Sequence, residues 1–271
     1  HGSTVATNAL LERKGAKVAF VVTQGFRDIL FLQRHDRRNI YDLRYKRPRP
    51  VVDRADCYEV PERIDAQGAV IKALDVVAAV TRLVPLLRAG AYDSVAICLL
   101  SSYANAAHED ALRTALNDAL PDMLITASAD VTREFREFER ASTATLAAYV
   151  QPVIDRYLSR LETELATRGF TERFSIMQSN GGRIPAHAMR RNAISALFSG
   201  PAAGVVGAIR QAERAGTGNV ITFDMGGTST DVCLVTDGKP GISPDTELDG
   251  LPVRTPVIDI ATVGAGGGSL V

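Results

Sequence analysis

Val220-Ile221-Thr222-Phe223-Asp224-Met225-Gly226-Gly227-Thr228-Ser229-Thr230-Asp231-Val232-Cys233-Leu234-Val235 is the stretch on which the reading of the chain turns. An apolar run ends in a carboxylate, two glycines and three hydroxyl residues follow, and a second apolar run closes the segment. Glycine lets a backbone come close to a bulky anion and turn its amides toward it, as phosphate-binding turns require. Asp224 suits Mg²⁺, held directly or through water, because that ion prefers one or two carboxylates together with phosphate oxygens. Thr228 and Thr230 suit donation to those oxygens. The same residues also fit a plain β-hairpin in which Gly-Gly supplies positive φ and Asp224 and Asp231 are solvated.

Working outward, Ser199-Gly200-Pro201-Ala202-Ala203-Gly204-Val205-Val206-Gly207-Ala208 leads a helix predicted over 202–215, with proline near its first turn. Apolar runs at 18–22, 95–100, 123–126 and 174–178 read as strands. Segments 3–13, 69–87, 109–120 and 135–168 read as helices. Such alternation predicts an α/β fold with a largely parallel sheet and ligands at the strand carboxyl ends. Over 135–168, Leu146, Val150, Val153, Ile154, Tyr157, Leu158, Leu161 and Leu165 fall on one apolar stripe. Pro152 is expected to kink this helix or to start a new one, and Gly169 to close it in the left-handed conformation. This long element is the candidate crossing between two domains. Segment 34–62, with Arg47-Pro48-Arg49-Pro50, is expected to be extended and at the surface. Its cations Arg34, Arg37, Arg38, Arg44, Lys46, Arg47 and Arg49 fit a solvated loop or an anionic partner.

The 271 residues suffice for one or two domains, and 46% hydrophobic with 23% charged residues places the chain among globular proteins with a sizeable core. Thirty-one Lys and Arg balance 31 Asp and Glu, so no long-range field draws nucleic acid or an anionic membrane surface. The apolar runs are too short for a bilayer span, and no signal-peptide pattern opens the sequence. Cys57, Cys98 and Cys233 form no C-x-x-C pair, which fits a reducing, cytoplasmic setting. His1, His35, His108 and His187 lack metal-ligand spacing and read as capping, surface or loop residues.

A proline-led small-residue helix followed by a strand and D-x-G-G-T resembles the actin-like (ribonuclease H-like) ATPase superfamily. The resemblance narrows with His1-Gly2-Ser3-Thr4-Val5-Ala6-Thr7-Asn8-Ala9-Leu10-Leu11-Glu12-Arg13, Gly25-Phe26-Arg27-Asp28, Ser102-Tyr103-Ala104-Asn105, His108-Glu109 and Gln178-Ser179-Asn180-Gly181-Gly182. Together with the 199–208 and 223–231 runs and Val263-Gly264-Ala265-Gly266-Gly267-Gly268-Ser269, these are similar to hydantoinase A, in the hydantoinase/oxoprolinase family that also holds the β subunit of acetone carboxylase. The resemblance covers essentially the whole chain, and its motifs occur in the family's order.

It implies an actin-like fold of two α/β domains with mixed sheets, residues 1–141 being the remainder of an N-terminal domain and 142–271 the start of a catalytic domain. It implies ATP and Mg²⁺ or another divalent cation, used to phosphorylate and hydrolyse the amide of hydantoin, N-methylhydantoin or 5-oxoproline. Asp224 and Asp231 become the catalytic candidates, with Asp224 at the metal. Gly226, Gly227, Thr228, Thr230, Gly264, Gly266 and Gly267 become nucleotide contacts, and Thr4, Thr7, Asn8, Asn180 and Gly181 approach substrate. A partner subunit of hydantoinase B or carboxylase type and an oligomer are implied too. A β-type subunit of a ketone carboxylase and an inactive nucleotide-binding fragment are the alternatives. The family's first D-x-G-G-T-F-T-D hairpin does not occur here, members extend beyond the glycine cluster, and Ala261 stands where many carry a histidine. An internal fragment is therefore expected.

Overall fold

The computed structural model describes residues 1–36, 40–227 and 229–269. They form two compact units, one of residues 8–157 with 247–254, the other of 1–7, 158–246 and 255–271. Helix α1 (Val5–Leu11) begins in one of these segments and ends in the other.

In the unit built on 8–157, β1 (Val18–Thr23) lies between β2 (Cys57–Val60) and, beyond helix α2 (Val76–Ala89), β3 (Ser94–Cys98). Helix α3 (Ala107–Ala119) then leads to β4 (Leu124–Ala127), completing a parallel sheet of order β2-β1-β3-β4. Strands β1 and β3 are buried along their whole length, as their continuous apolar runs demand of a sheet covered on both faces. Leu83 and Leu87 of α2 and Leu112 and Leu116 of α3 pack against Ala19, Val21, Val95 and Ile97. The Asp75 side chain caps α2 by accepting from the Ala78 amide at 2.9 Å.

Two expectations change here. The 34–62 segment is not wholly an extended surface stretch, since β2 is an edge strand with Cys57 and Val60 buried, which its mixed composition hides. The 69–87 helix begins only at Val76, because Val70–Lys72 pairs antiparallel with Arg63–Ile64. Of the cations in the basic segment, Arg34 pairs with Glu139, Arg47 donates to the Phe31 carbonyl and Arg49 pairs with Asp53. Arg37 and Arg38 lie outside the described residues.

Helix α4 (Glu137–Thr167) runs without interruption through Pro152, so no new helix starts there. Proline removes the amide that would bond the carbonyl four residues back, and the Ser94 hydroxyl instead donates to that Ala148 carbonyl at 2.8 Å. Residues 139–152 are buried all round rather than along one stripe. Small side chains allow this, and the Thr143 and Thr145 hydroxyls bond the Glu139 and Ala141 carbonyls within the helix. Gly169 follows at φ +78°, as expected of a left-handed stop.

In the second unit β5 (Ser175–Met177) pairs antiparallel with β6 (Arg183–Pro185), and helix α5 (Ser199–Arg214) leads to β7 (Val220–Met225) and β8 (Thr230–Thr236). A turn at Asp237 and Gly238, both at positive φ, returns the chain as β9 (Lys239–Pro240). Then β10 (Ile242–Ser243) pairs with β11 (Val257–Ile258), and β12 (Ala261–Val263) pairs with the start of β8. Ala202, Val205 and Ile209 of α5 pack against Cys233, Val235 and Ile258. Ile221, Phe223, Met225, Leu234 and Val263 remain exposed. Among the described residues, no helix is long and apolar enough to cross a membrane.

Candidate functional site

Strands β7 and β8 pair in a register that sets Asp224 directly opposite Asp231, in line with Thr222 and Cys233 on the face that packs against α5. A Cβ placed on Gly204 of α5 would lie 3.5 Å from Asp224 Oδ2, so the helix passes close to that carboxylate and carries no side chain at that point. The Thr262 hydroxyl donates to Asp231 Oδ1 at 2.7 Å. Like charges directly opposite on a sheet repel, and a divalent cation between them would remove that cost. No group of three or more His, Cys, Asp or Glu side chains suited to a metal occurs among the described residues. Two carboxylates nevertheless meet the demand of Mg²⁺, which draws its remaining ligands from water and phosphate.

The two glycine clusters, 35 or more residues apart in sequence, form one surface. The Gly226 amide donates to the Ser229 carbonyl at 2.9 Å and closes the turn. The Gly267 and Gly268 amides donate to the Gly226 and Gly227 carbonyls, each at 2.9 Å, and the Thr230 hydroxyl donates to the Ala265 carbonyl at 2.6 Å. A Cβ on Gly268 would fall 2.9 Å from the Gly227 carbonyl oxygen, so this approach requires glycine. Gly264 is exposed and Gly266 donates its amide to the Ser269 hydroxyl at 3.0 Å. Thr228 lies outside the described residues.

The opening motif docks on the start of α5. The Ser3 amide donates to Ser199 Oγ at 3.1 Å, that hydroxyl donates to the Ser3 carbonyl at 2.9 Å, and the Phe198 amide donates to Thr7 Oγ1 at 3.1 Å. Phe198 itself caps the helix in the left-handed conformation, φ 57°. A Cβ on Gly200 would lie 3.3 Å from the Thr4 methyl group. Thr4 and Thr7 therefore come to the same helix that Asp224 approaches at Gly204. Asn8 sits within α1 in the other unit, its carbonyl accepting from Glu12. Asn180 Oδ1 accepts from the Gly182 amide at 2.8 Å, and Gly181, at φ +81°, leaves a Cβ no room against Val206 and Ile258. This tight turn presses against α5 and β11.

An ionic cluster at the carboxyl ends of β1 and β3 was not foreseen. Fully buried Glu109 accepts from the Leu99 and Ala129 amides and from Ser102 and Ser128, at 2.7 to 2.9 Å. Fully buried Arg140 stands 3.6 Å from Glu109 and 3.0 Å from Glu137, and burial pushes the Glu109 carboxyl above its ordinary range. His108 is not a capping, surface or loop residue. It is nearly buried in α3 with its Nδ1 2.7 Å from Glu62 Oε2, and Glu62 also bonds the Thr23 hydroxyl. These side chains hold the amides of Leu99, Leu100 and Ser101, the last a non-glycine at φ 56°. The cluster was hidden because Arg140 sits in a run of Glu and Arg that reads as a solvated helix face.

Residues 140–271 match the family described as Hydantoinase/oxoprolinase, and residues 1–120 match its N-terminal region. The chain is 34% identical to the caprolactamase subunit alpha of Pseudomonas jessenii, over 100% of this chain and 39% of that one. It is 37% identical to 5-oxoprolinase 1 of Arabidopsis thaliana, over 99% of this chain and 22% of that one. Among solved structures, the ATP-dependent caprolactamase of Pseudomonas jessenii superposes with a TM-score of 0.88 at 34% identity, over 98% of this chain and 39% of the other. Nucleotide-free acetone carboxylase superposes with a TM-score of 0.83 at 29% identity, with the same shares covered. The chain thus spans about two fifths or less of each of these relatives.

Proposed function

Since the chain belongs to the hydantoinase/oxoprolinase family and has the α/β fold of the actin-like ATPases, we propose that the full-length protein carrying it opens a five-membered cyclic amide at the expense of ATP. The observation that carries this reading is the opposed pair Asp224 and Asp231 beside a glycine surface made from two loops. An amide carbon is a poor electrophile because nitrogen lone-pair resonance feeds the carbonyl. ATP, when bound, supplies the phosphoryl group that turns the amide oxygen into part of a leaving group. Asp224 holds the divalent cation or orients water, and Asp231, steadied by the Thr262 hydroxyl, shares that charge. Gly226, Gly227, Gly264, Gly266 and Gly267 meet the phosphates in this proposal, where missing Cβ atoms permit close approach, with Thr228 a further proposed contact and Thr230 bracing the surface through its bond to the Ala265 carbonyl. Thr4, Thr7, Asn8, Asn180 and Gly181 are the substrate-side candidates. The catalytic part begins in this proposal at residue 142.

Calorimetric titration of Mg-ATP into the folded chain and into Asp224→Ala tests the phosphate site. Binding by the first, weakened at least about tenfold in the second, is expected. Equal binding by both removes Asp224 from the site. On the full-length protein, phosphate release stimulated by hydantoin or 5-oxoproline is expected, and its absence sinks the hydrolase reading. The acetone carboxylase superposition favours a second reading, a carboxylase-type subunit, which predicts ketone-stimulated ATP use instead. The caprolactamase relative is named as a subunit, which supports a partner of hydantoinase B or carboxylase type and an oligomeric enzyme. Three free, buried cysteines support a cytoplasmic setting.

A further inference from the structure

Strand β7, which carries Asp224, is open on two sides. The Gly226 amide donates to the Ser229 carbonyl, and hydrogen-bonded pairs alternate along an antiparallel ladder. Val220, Thr222 and Asp224 therefore bond β8, while Ile221, Phe223 and Met225 turn their amides and carbonyls to the opposite edge. Among the described residues no strand pairs with that edge. The side chains of Ile221, Phe223 and Met225, with Leu234 of β8 and Val263 of β12, share the sheet face turned away from α5, and each is more than half exposed. Strands that are apolar on both faces belong to a sheet covered on both faces, and α5 covers one.

We propose that in the full-length protein a strand and a helix of the same polypeptide, from sequence outside residues 1–271, complete this sheet, the strand on the open edge of β7 and the helix on the outer face. The two openings together select this occupant. A second copy adding its β7 to this one closes the edge but sets two apolar faces side by side, doubling the uncovered surface. A second copy laid face on face covers the side chains and leaves both edges open. A strand joined to a helix that returns over the sheet closes edge and face at once. In the caprolactamase on which the chain superposes, 39% of that chain is matched, so more sequence lies outside the matched region than within it, enough for such a unit. Strand β7 then lies inside the sheet rather than at its margin. The inference stands independently of ATP use.

Full-length protein with the photoreactive p-benzoylphenylalanine in place of Phe223 is irradiated, and the cross-linked peptides are identified by mass spectrometry. A link to a segment outside 1–271, in a product that migrates as a single polypeptide on denaturing gels, is expected. A link to a second chain, of this or another sequence, overturns the inference, as does the lack of any link beyond residues 1–271. Hydrogen exchange of the unaltered full-length protein gives a second reading should the substituted protein fail to fold. The amides of Ile221, Phe223 and Met225 are expected to exchange at least about a hundredfold more slowly than unbonded amides, at every protein concentration over a hundredfold range. Exchange at the unbonded rate, or slowing that is lost on dilution, overturns the inference.

Discussion

Asp224 and Asp231 face each other across two paired strands, and in the function proposed above this opposed pair holds the divalent cation. Asp231→Asn keeps an oxygen for the Thr262 hydroxyl while removing one of two opposed charges. Expected outcomes are a ligand-free protein more stable by about 0.5 kcal/mol in urea unfolding and weaker Mg-ATP binding by titration. Loss of both stability and binding would instead mark Asp231 as a packing residue. The cysteines give a prediction of another kind. Burial pushes the Cys57 and Cys98 thiols up to about 12, so at pH 8 the thiolate fraction is about one in ten thousand, far below that of an ordinary thiol. Iodoacetamide at pH 8 should leave both unlabelled in the folded chain and label them after denaturation. At this scale the sequence was legible in local structure, as in the apolar strand that carries Asp224 and the Gly-Gly turn that follows it. It was illegible where a polar side chain is buried, as with His108 and Arg140, whose neighbours in sequence look like those of surface residues.

Among the elements, α4 shows how a rule of local structure is met by a distant partner. Pro152 deprives the Ala148 carbonyl of its helical donor, and Ser94 from β3 supplies one. Ser94→Ala leaves a buried carbonyl unsatisfied and should cost about 1–3 kcal/mol, read as a shift in urea midpoint with an unchanged slope. Restoration of the loss by Pro152→Ala in the Ser94→Ala background would confirm the linkage. A full-strength Ser94→Ala protein would refute it. Helices and strands with strong apolar periodicity, such as β1, β3 and α3, were legible to within a few residues, because burial dictates the period. Strand β2 was not, since at four residues between Arg- and Pro-rich flanks it has no period to read and is a strand only through its pairing with β1.

For the molecule as a whole, the α/β class followed from the alternation of strands and helices, and the glycine motifs pointed to the loops that meet at 226–227 and 267–268. That residues 1–7 belong with 158–246 in one compact unit had no signal in composition or spacing. If the phosphate surface is complete within that unit, Mg-ATP at a hundredfold its Kd should add about 2.7 kcal/mol to the unfolding free energy of the 271-residue chain. Phosphate release should nonetheless require the full-length protein, since the relatives compared are at least about twice as long. The docking of Ser3 on Ser199, 196 residues apart, also sets an order in time. At roughly 5–20 residues per second, a ribosome needs about 10–40 s to deliver Ser199 after Ser3, and until then the segment around Ser3 waits without this partner. The intervening segment 8–157 has that interval to collapse on its own parallel sheet, so residues 1–7 are made before that unit and find their place after it.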